Sequence, residues 1–510
     1  MVGFERQRNS DDFYNTSLIG IQGELSNEQV KRVKRIHNNW NFYEGYHWED
    51  MPDVDTPEIT LNYCRAFVNK FVSFELGKSF SIEVHDSMKD IIVTRDGRTS
   101  FKYLEDVWED NKQFSFCTEM GQMKSVTGEA WIQVRFFPKE EIDDPYMRYP
   151  NGRIRVMLIP TSTVFPEFDP HDKDKLVRVT VMYTYDKVTR SGILGRKTTK
   201  KILYKQVWTK DECAVYDDSK EPVIYPNKYG VIPFVLIKNL TIAGRTEGYS
   251  DLDDLIPLNV EINTKESNVS EIIDYHAAPV TVVYGAKVGN LEKGANKMWG
   301  GLAKDARVEN LELKGDLGAS TSHIADIKTA MCEIGGIPQT VLGGAQAVSN
   351  TSGVALEYIN LPLIEKTRVK RANTETGLEE VNSLILLISV LEGLITPPKD
   401  VPLRDFFWNA CTLPDTLPKD KLLELQQIQQ EMKSGIETRK GAAVRMGKED
   451  VEELLKDVDE DIKNNPCFYG HSDPNDPNHF PQINSGMTNG QTPVEQVRKE
   501  ITGKNGGAVL

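Results

Sequence analysis

The sequence predicts an α+β protein, and three observations carry that reading. Apolar residues recur at helical spacing near the start of the chain and again between about residues 353 and 394. From Glu129 to Lys238 the pattern changes to short β-rich runs bounded by Gly, Pro, Asn and Asp. One long helical segment, 250–276, has a thin apolar stripe on a polar surface, unlike a helix enclosed in its own core. The 510 residues allow about three units of ordinary domain size.

The elements follow in order. The capping signature LSNEQ opens a polar helix, VKRVKRIHNNWNFYEG, that ends at Gly45. A loop covers Asp50–Pro57, and ITLNYCRAFVNKFVSFELG then places Tyr63, Phe67, Phe71 and Phe74 at helical spacing. SFSIEVHD reads as a short strand and Phe101–Met120 as a helix. EAWIQVRFF, RIRVMLIP, LVRVTVMYTYD, KKILYKQVW, ECAVYDD and PFVLIKN each have strand length and predict an antiparallel sheet beside the helices.

In the 250–276 helix the stripe is Leu252, Leu255, Ile256, Val260, Ile262, Val269, Ile272 and Ile273. Asn259, Asn263, Glu266, Ser267, Asn268, Glu271 and Asp274 cover the rest, so neighbours are expected on its flanks and water on another face. A Gly-dotted, β-like module spans Pro279–Gly315, and a second helix, Thr321–Ile334, ends at Gly335-Gly336. No charge occurs between Glu333 and Glu357, and this Gly, Ala, Ser, Asn and Gln stretch reads as a flexible loop. A long helix begins near Gly353, is interrupted at Pro362, and resumes with Leu378, Val381, Leu384, Ile385, Ile388, Leu391 and Leu394. After ITPPKDVP comes a charged helical unit, Pro418–Ile462. From Asn464 the Pro/Asn/Gly-rich tail is expected to be disordered.

Composition narrows the function. The chain has 61 Lys and Arg against 76 Asp and Glu, a net charge of -15. A protein that grips DNA by neutralising phosphates leans basic, so contact with nucleic acid here is expected to be local, transient or weak. Six scattered cysteines without a C-x-x-C predict free thiols in a reducing compartment. MVGFERQRNSDDF has no apolar core, so no signal peptide is expected. The longest apolar run, Leu384–Leu391, is far short of the roughly 20 residues of a membrane span.

Catalytic motifs are weak. Gly441–Glu449 (GAAVRMGKE) resembles a phosphate-binding loop, but it has one residue too many and Glu449 where Ser or Thr would hold magnesium. Cys467, His471, Asp473, Asp476 and His479 crowd the tail in no zinc-module spacing. Asp169, Asp172 and Asp174 lack the glycine and closing glutamate of a calcium loop and read as a solvated turn. There is no H-E-x-x-H, G-x-S-x-G, or G-x-G-x-x-G after a strand. The expectation is no enzyme, no cofactor and no metal. A nucleic-acid enzyme would need clustered acidic metal ligands or a phosphate loop.

WNFYEGYHW (Trp40–Trp48) followed by TLNYCRAFVNKFVSFELGKSFSIEV resembles the opening of the portal proteins of tailed double-stranded-DNA phages, in the siphophage branch of Gram-positive hosts. GYSDLDDLIPLNVEINTKESNVSEIIDYHAAPVTVVYG resembles their first stem helix and the start of the clip. TSGVALEY resembles the segment after their tunnel loop, and SGIETRKGAAVRMGKEDVEELLKDVDEDI their crown. The resemblance covers roughly residues 30–465 and lies in the serial order of segments, not in one motif.

It implies a ring of subunits, usually twelve, around a channel at one vertex of the virion head, assembled in the host cytoplasm without a membrane. It divides the chain into an N-terminal arm (1–24), wing (25–249), stem helices (250–277 and 321–338), clip (278–320), tunnel loop (339–352), long kinked helix returning to the wing (353–412), crown (413–465) and tail (466–510). Implied partners are further copies of the chain, the terminase large subunit, head-completion or adaptor proteins, the major capsid protein, a scaffolding protein and double-stranded DNA. The implied DNA-facing loop residues are Gln339, Gln346, Ser349, Asn350 and Thr351. Candidates for the stem's channel face are Asn263, Glu266, Ser267 and Glu271. In the clip, Lys287, Lys293, Lys297, Lys304, Arg307 and Lys314 outnumber the acids; they either guide DNA or dock the motor, or form a solvated surface. A different virion structural protein is the remaining alternative.

Overall fold

The structure is a computed structural model describing residues 22–48, 59–191, 196–217, 221–277, 281–284, 307–310, 317–343, 353–414, 421–446 and 451–464. The chain divides into two compact units, Met1–Pro418 and Lys419–Leu510. The first mixes helices with antiparallel sheets, as an α+β chain should.

Helix α1 (Asn27–Glu44) starts at the expected capping box: the Gln29 amide donates to Ser26 Oγ at 3.2 Å, and the Ser26 amide donates to Gln29 Oε1 at 2.9 Å. It stops at Gly45, whose φ of 99° suits glycine. In α2 (Tyr63–Leu76), Cys64, Phe67, Val68, Phe71, Val72 and Leu76 are buried, whereas Tyr63 and Phe74 are half-buried at the margin of the stripe. Strand β1 (Ser81–Val84) follows. The helix expected over Phe101–Met120 is two, α3 (Ser100–Asp110) and α4 (Gln113–Thr127). Asn111 breaks it by accepting from the Val156 amide and donating to the Ile154 carbonyl, both at 3.1 Å, and Lys112 turns the chain at φ 55°.

Strands β2 (Glu129–Phe137), β3 (Arg153–Ile159), β4 (Val164–Asp169), β5 (Asp172–Ser191), β6 (Arg196–Trp208), β7 (Glu212–Asp217), β8 (Val223–Pro226) and β9 (Phe234–Lys238) make two antiparallel sheets, ordered β3-β2-β9 and β4-β5-β6-β7-β8. In β2, residues 129–134 are all buried: Ala130, Ile132 and Val134 share the main core with Leu378, Val381 and Ile385, while Trp131 packs with Val164 and Val179. The pair β10 (Leu240–Thr241) and β11 (Gly248–Tyr249) leads into α5 (Ile256–Ala277). Then come β12 (Thr281–Tyr284), β13 (Arg307–Asn310), α6 (Leu317–Gly335) and α7 (Gly353–Leu391). Helix α7 continues through Pro362, although proline removes one helix bond. The affected carbonyl belongs to Tyr358, which is 73% exposed, so water can serve it. After α8 (Leu403–Phe407), β14 (Asn409–Thr412) returns to pair with β1.

The second unit contains α9 (Lys421–Lys433), α10 (Arg439–Arg445) and α11 (Val451–Asn464). Arg445 reaches Glu431 at 2.6 Å and Arg439 reaches Asp459 at 2.8 Å. Gly441–Arg445 lies within α10, capped by Thr438, which is not the geometry of a phosphate-binding loop. Among the described residues no helix is long and apolar enough to cross a membrane.

Candidate functional site

The residues singled out by the sequence centre on α5, α6 and their connections. Asn259, Asn263 and Ser267 recur every four residues on α5 and are buried. They do not face water, as their polarity suggested; they dock an extended strip of backbone. Asn259 donates to the Leu61 carbonyl at 2.9 Å and accepts from the Cys64 amide at 3.1 Å. Asn263 Oδ1 accepts from the Leu61 amide at 3.0 Å, and Ser267 Oγ from the Ile59 amide at 3.0 Å. His47 completes the ladder: its Nε2 donates to the Phe42 carbonyl at 2.9 Å, leaving Nδ1 to accept from Asn263 Nδ2 at 2.7 Å. Burial pushes the His47 imidazole below its ordinary pKa, only partly opposed by the hydrogen bond to the Phe42 carbonyl. Asn263 and Ser267 are therefore not channel-facing residues of this helix. A buried strip of unpaired amides demands such partners, and a side chain spent on them cannot serve another surface.

On the side toward α6, Glu266 pairs with Lys328 at 3.0 Å. Burial lowers the Lys328 ammonium, but Glu266 and Tyr63 together outweigh it and the net shift is upward. Ile262, Val269, Ile324 and Met331 fill the same cluster. Glu271 and Asp274 remain exposed. Helix α6 starts one turn before the expected Thr321, because Leu317 packs on the cluster and the Thr321 hydroxyl donates to its carbonyl at 3.1 Å. Arg307 lies on β13, exposed, 2.6 Å from Glu309. Lys287, Lys293, Lys297, Lys304 and Lys314 lie outside the described residues, as do Gln346, Ser349, Asn350 and Thr351 of the loop and the tail group Cys467, His471, Asp473, Asp476 and His479.

The loop's first residues are ordered. The Ile337 amide donates to the Cys332 carbonyl at 3.0 Å and Gly336 adopts φ 71°, closing α6. Ile337 is buried, and Val341 and Leu342 pack half-buried on the α2–α5–α6 cluster, so these two are not free apolar side chains. Gln339 is exposed and donates to Thr329 Oγ1 at 2.9 Å. Asp169 and Asp172 spend carboxylate oxygens on the amides of His171 and Asp174 within their turn.

Composition gave no warning of the next feature. Where α5 begins and α6 ends, both meet α7 at a charge cluster in which Asp251, Glu75, Lys124 and Lys370 are buried and Lys366 lies at the edge. Asp251, just before α5, accepts from Ser125 at 2.6 Å, Lys370 at 2.7 Å and Asn239 at 3.1 Å, and lies 3.2 Å from Lys366. Lys124 pairs with Glu75 and donates to Thr374 at 2.5 Å, while Thr374 donates to Glu75 at 2.8 Å. Lys370 lies 3.6 Å from Glu75. Lys366 also donates to the Gly335 carbonyl at 3.1 Å, tying the end of α6 to α7. Lys366 and Lys370 lie 4.4 and 4.7 Å from the Phe71 ring centre. Burial pushes the Asp251 carboxyl up, but Lys370 and Lys366 outweigh it and hold it far below the usual carboxylate range. Burial lowers the Lys124 ammonium, and Glu75 only partly opposes this. Each charge is held by neighbours from other elements, so the cluster fixes helix ends relative to one another. The spacing Leu363, Thr367, Lys370, Thr374, Leu378 sets two hydroxyls and a lysine in register with an apolar stripe, which marks Lys370 as inward-facing but not what it meets.

Among the described residues no group of His, Cys, Asp and Glu has the arrangement of a metal site. No curated protein matches the chain. The family model described as "Phage portal protein, SPP1 Gp6-like" matches it over residues 22–465. That match runs through every element of both units described above, and the chain accordingly belongs to the SPP1 Gp6-like family of phage portal proteins, structural proteins of DNA packaging.

Proposed function

We propose that the chain assembles as a closed ring, twelvefold as is usual for portal proteins, around a DNA channel at the head vertex of a siphophage of a Gram-positive host. The observation that carries this is an apolar row along the first half of α7. Tyr358, Ile359, Leu361 and Val369 are exposed in the single chain, Tyr358 at 73% and Val369 at 51%. Large apolar side chains clustered along one helix mark a surface that another copy covers, and a heterologous contact repeated head to tail closes a ring. Supporting residues of the channel are the exposed Glu271 on α5, with Gln339, Gln346, Ser349, Asn350 and Thr351 in the loop, whereas Glu266 is committed to Lys328. An acidic wall repels the phosphate backbone, and an uncharged loop forms no ion pair that translocation must break. The terminase large subunit, which carries the ATPase, docks at the clip with its basic residues. Head-completion, major capsid and scaffolding proteins contact the remainder.

Negative-stain images of the purified protein are expected to show a ring with a central hole, without ATPase or nuclease activity. A stable monomer at micromolar concentration by mass photometry refutes the ring. Gln346→Lys or Asn350→Lys is expected to leave assembly intact and slow packaging, because a charge-assisted contact contributes about 1.5–3 kcal/mol in each subunit. The defect should ease as salt rises. Packaging at the wild-type rate in both variants removes the loop from the constriction.

A further inference from the structure

The loop that joins β2 to β3 ends in a tip with a fixed shape. The Asp144 carboxylate accepts from the Tyr146 amide at 3.2 Å and the Tyr149 amide at 2.8 Å, and the Met147 amide donates to the Asp144 carbonyl at 3.2 Å. Met147 sits at φ 51°, in the left-handed region that residues other than glycine rarely adopt. The Tyr149 hydroxyl donates to Asp110 at 3.1 Å, which ties the loop to α3. Tyr146 and Met147 thereby stand next to each other in water, 77% and 80% exposed. Arg148, exposed beside them, lies 3.8 Å from Asp144. Holding two large apolar side chains in solvent on a strained backbone costs stability in a lone chain and marks a surface that a partner covers.

A groove of about 640 Å³ opens at the other edge of the same sheet. Ile232, Phe234, Leu384, Leu387, Phe407 and Trp408 supply its apolar lining. It takes in Phe234 and Val235, consecutive residues of β9, which pairs only with β2 among the described residues. The sheet order β3-β2-β9 thus separates the two features. The tip is tied to α3, whose end Asn111 joins to β3, and the groove lies at β9. Two acids line the groove. Glu379 spends Oε1 on the Cys411 amide at 3.2 Å. Glu380 is exposed, and desolvation at the groove wall, then the charges of Asp174 and Glu379, push its carboxyl above the ordinary value with no cation opposing them.

Tip and groove match in kind. One presents a ring, a thioether and a cation; the other presents leucine and aromatic walls and an acid without a counter-charge. Methionine adapts its shape to such walls and gains from contact with an aromatic ring. A loop already held in shape enters with little ordering cost. Because the two lie at opposite edges, a chain does not fill its own groove, and contact between unlike faces repeats head to tail, as a ring requires. We propose that Tyr146 and Met147 of one copy seat in the β9–α7 groove of the next, with Arg148 against Glu380. This rests on the ring reading above and adds a contact distinct from the α7 row Tyr358–Val369.

The test uses full-length protein, mass photometry and negative-stain imaging, with wild-type rings as reference. Tyr146→Ala/Met147→Ala should raise the concentration at which half of the subunits are in rings by about tenfold or more, as the loss of an interface anchor does. Arg148→Glu and Glu380→Arg should each weaken assembly, and the two together should restore most of it, because the exchanged pair is again attractive. Met147→Cys/Leu387→Cys, oxidised with copper phenanthroline, should give a ladder of linked subunits on a non-reducing gel that neither single variant gives. A circular-dichroism melt matching wild type shows that each variant has kept its fold. Wild-type protein that stays monomeric removes the ring and this contact with it. Wild-type rings with an unchanged half-assembly concentration in the alanine variant, no recovery in the charge exchange, or no ladder overturn the proposal and leave the ring reading standing. So does a Leu387→Cys thiol that stays open to a maleimide–polyethylene-glycol reagent within assembled rings, which assigns the groove to another protein.

Discussion

Replacing Asp251 with asparagine tests how the ends of α5 and α6 are held. The carboxylate takes hydrogen bonds from Ser125, Lys370 and Asn239, all buried, and faces the partly exposed Lys366. Asparagine keeps the shape but withdraws the charge that compensates the buried Lys370 ammonium and the partly exposed Lys366, and turns an amide N–H₂ toward donors. Removing one partner of a buried pair costs about 3–5 kcal/mol. The loss is expected in an equilibrium urea titration followed by fluorescence of Trp108 and Trp131, both fully buried in the same unit. Adding Lys370→Met removes the orphaned ammonium and should return part of the loss, with a coupling of about 2 kcal/mol in the double-mutant cycle. The pH dependence has a definite sign. The folded-state pKa of Asp251 lies below its ordinary 3.8, so its contribution is complete above about pH 4 and is lost as pH falls through the lower folded value. The gap between wild type and Asp251→Asn should therefore be flat from neutral pH to about 4 and narrow only below it. A loss under 1 kcal/mol, or strict additivity with Lys370→Met, refutes the idea that these charges act as one joint.

His47 and Gly335 supply two further checks. The folded-state pKa of His47 is lowered from 6.5, so its stabilising effect is complete above pH 6.5 and is lost as pH falls from there toward the folded value. The thermal midpoint should fall between about pH 7 and 5, and His47→Gln should flatten that part of the profile; an unchanged profile removes His47 from the α5 ladder. A β-carbon on Gly335 would collide with the Phe67 ring, so Gly335→Ala should cost about 1–3 kcal/mol. Phe67→Leu in the same chain should recover part of the cost in the same urea titration, and no recovery would place the strain elsewhere.

Much of the architecture was legible because local rules suffice for it. The capping box at Ser26, the αL glycine at Gly45, the β-rich runs of the sheets and the α7 stripe at Leu378, Val381 and Ile385 each require only nearby residues. The split at Asn111 was hidden, because the side chain that breaks the helix bonds a strand more than 40 residues away. The α5 ladder was hidden for a related reason. Asn259, Asn263 and Ser267 look like a wetted face by composition, and only the tertiary structure brings residues 59–64 alongside to use them. Asp251, Lys366, Lys370, Glu75 and Lys124 come from separated parts of the chain, and periodicity carries no sign that they meet. By itself the sequence determined the class, the order of elements and the family. Which polar groups were buried was decided only by tertiary packing, because a buried amide or charge must be met by its partner wherever the chain carries it.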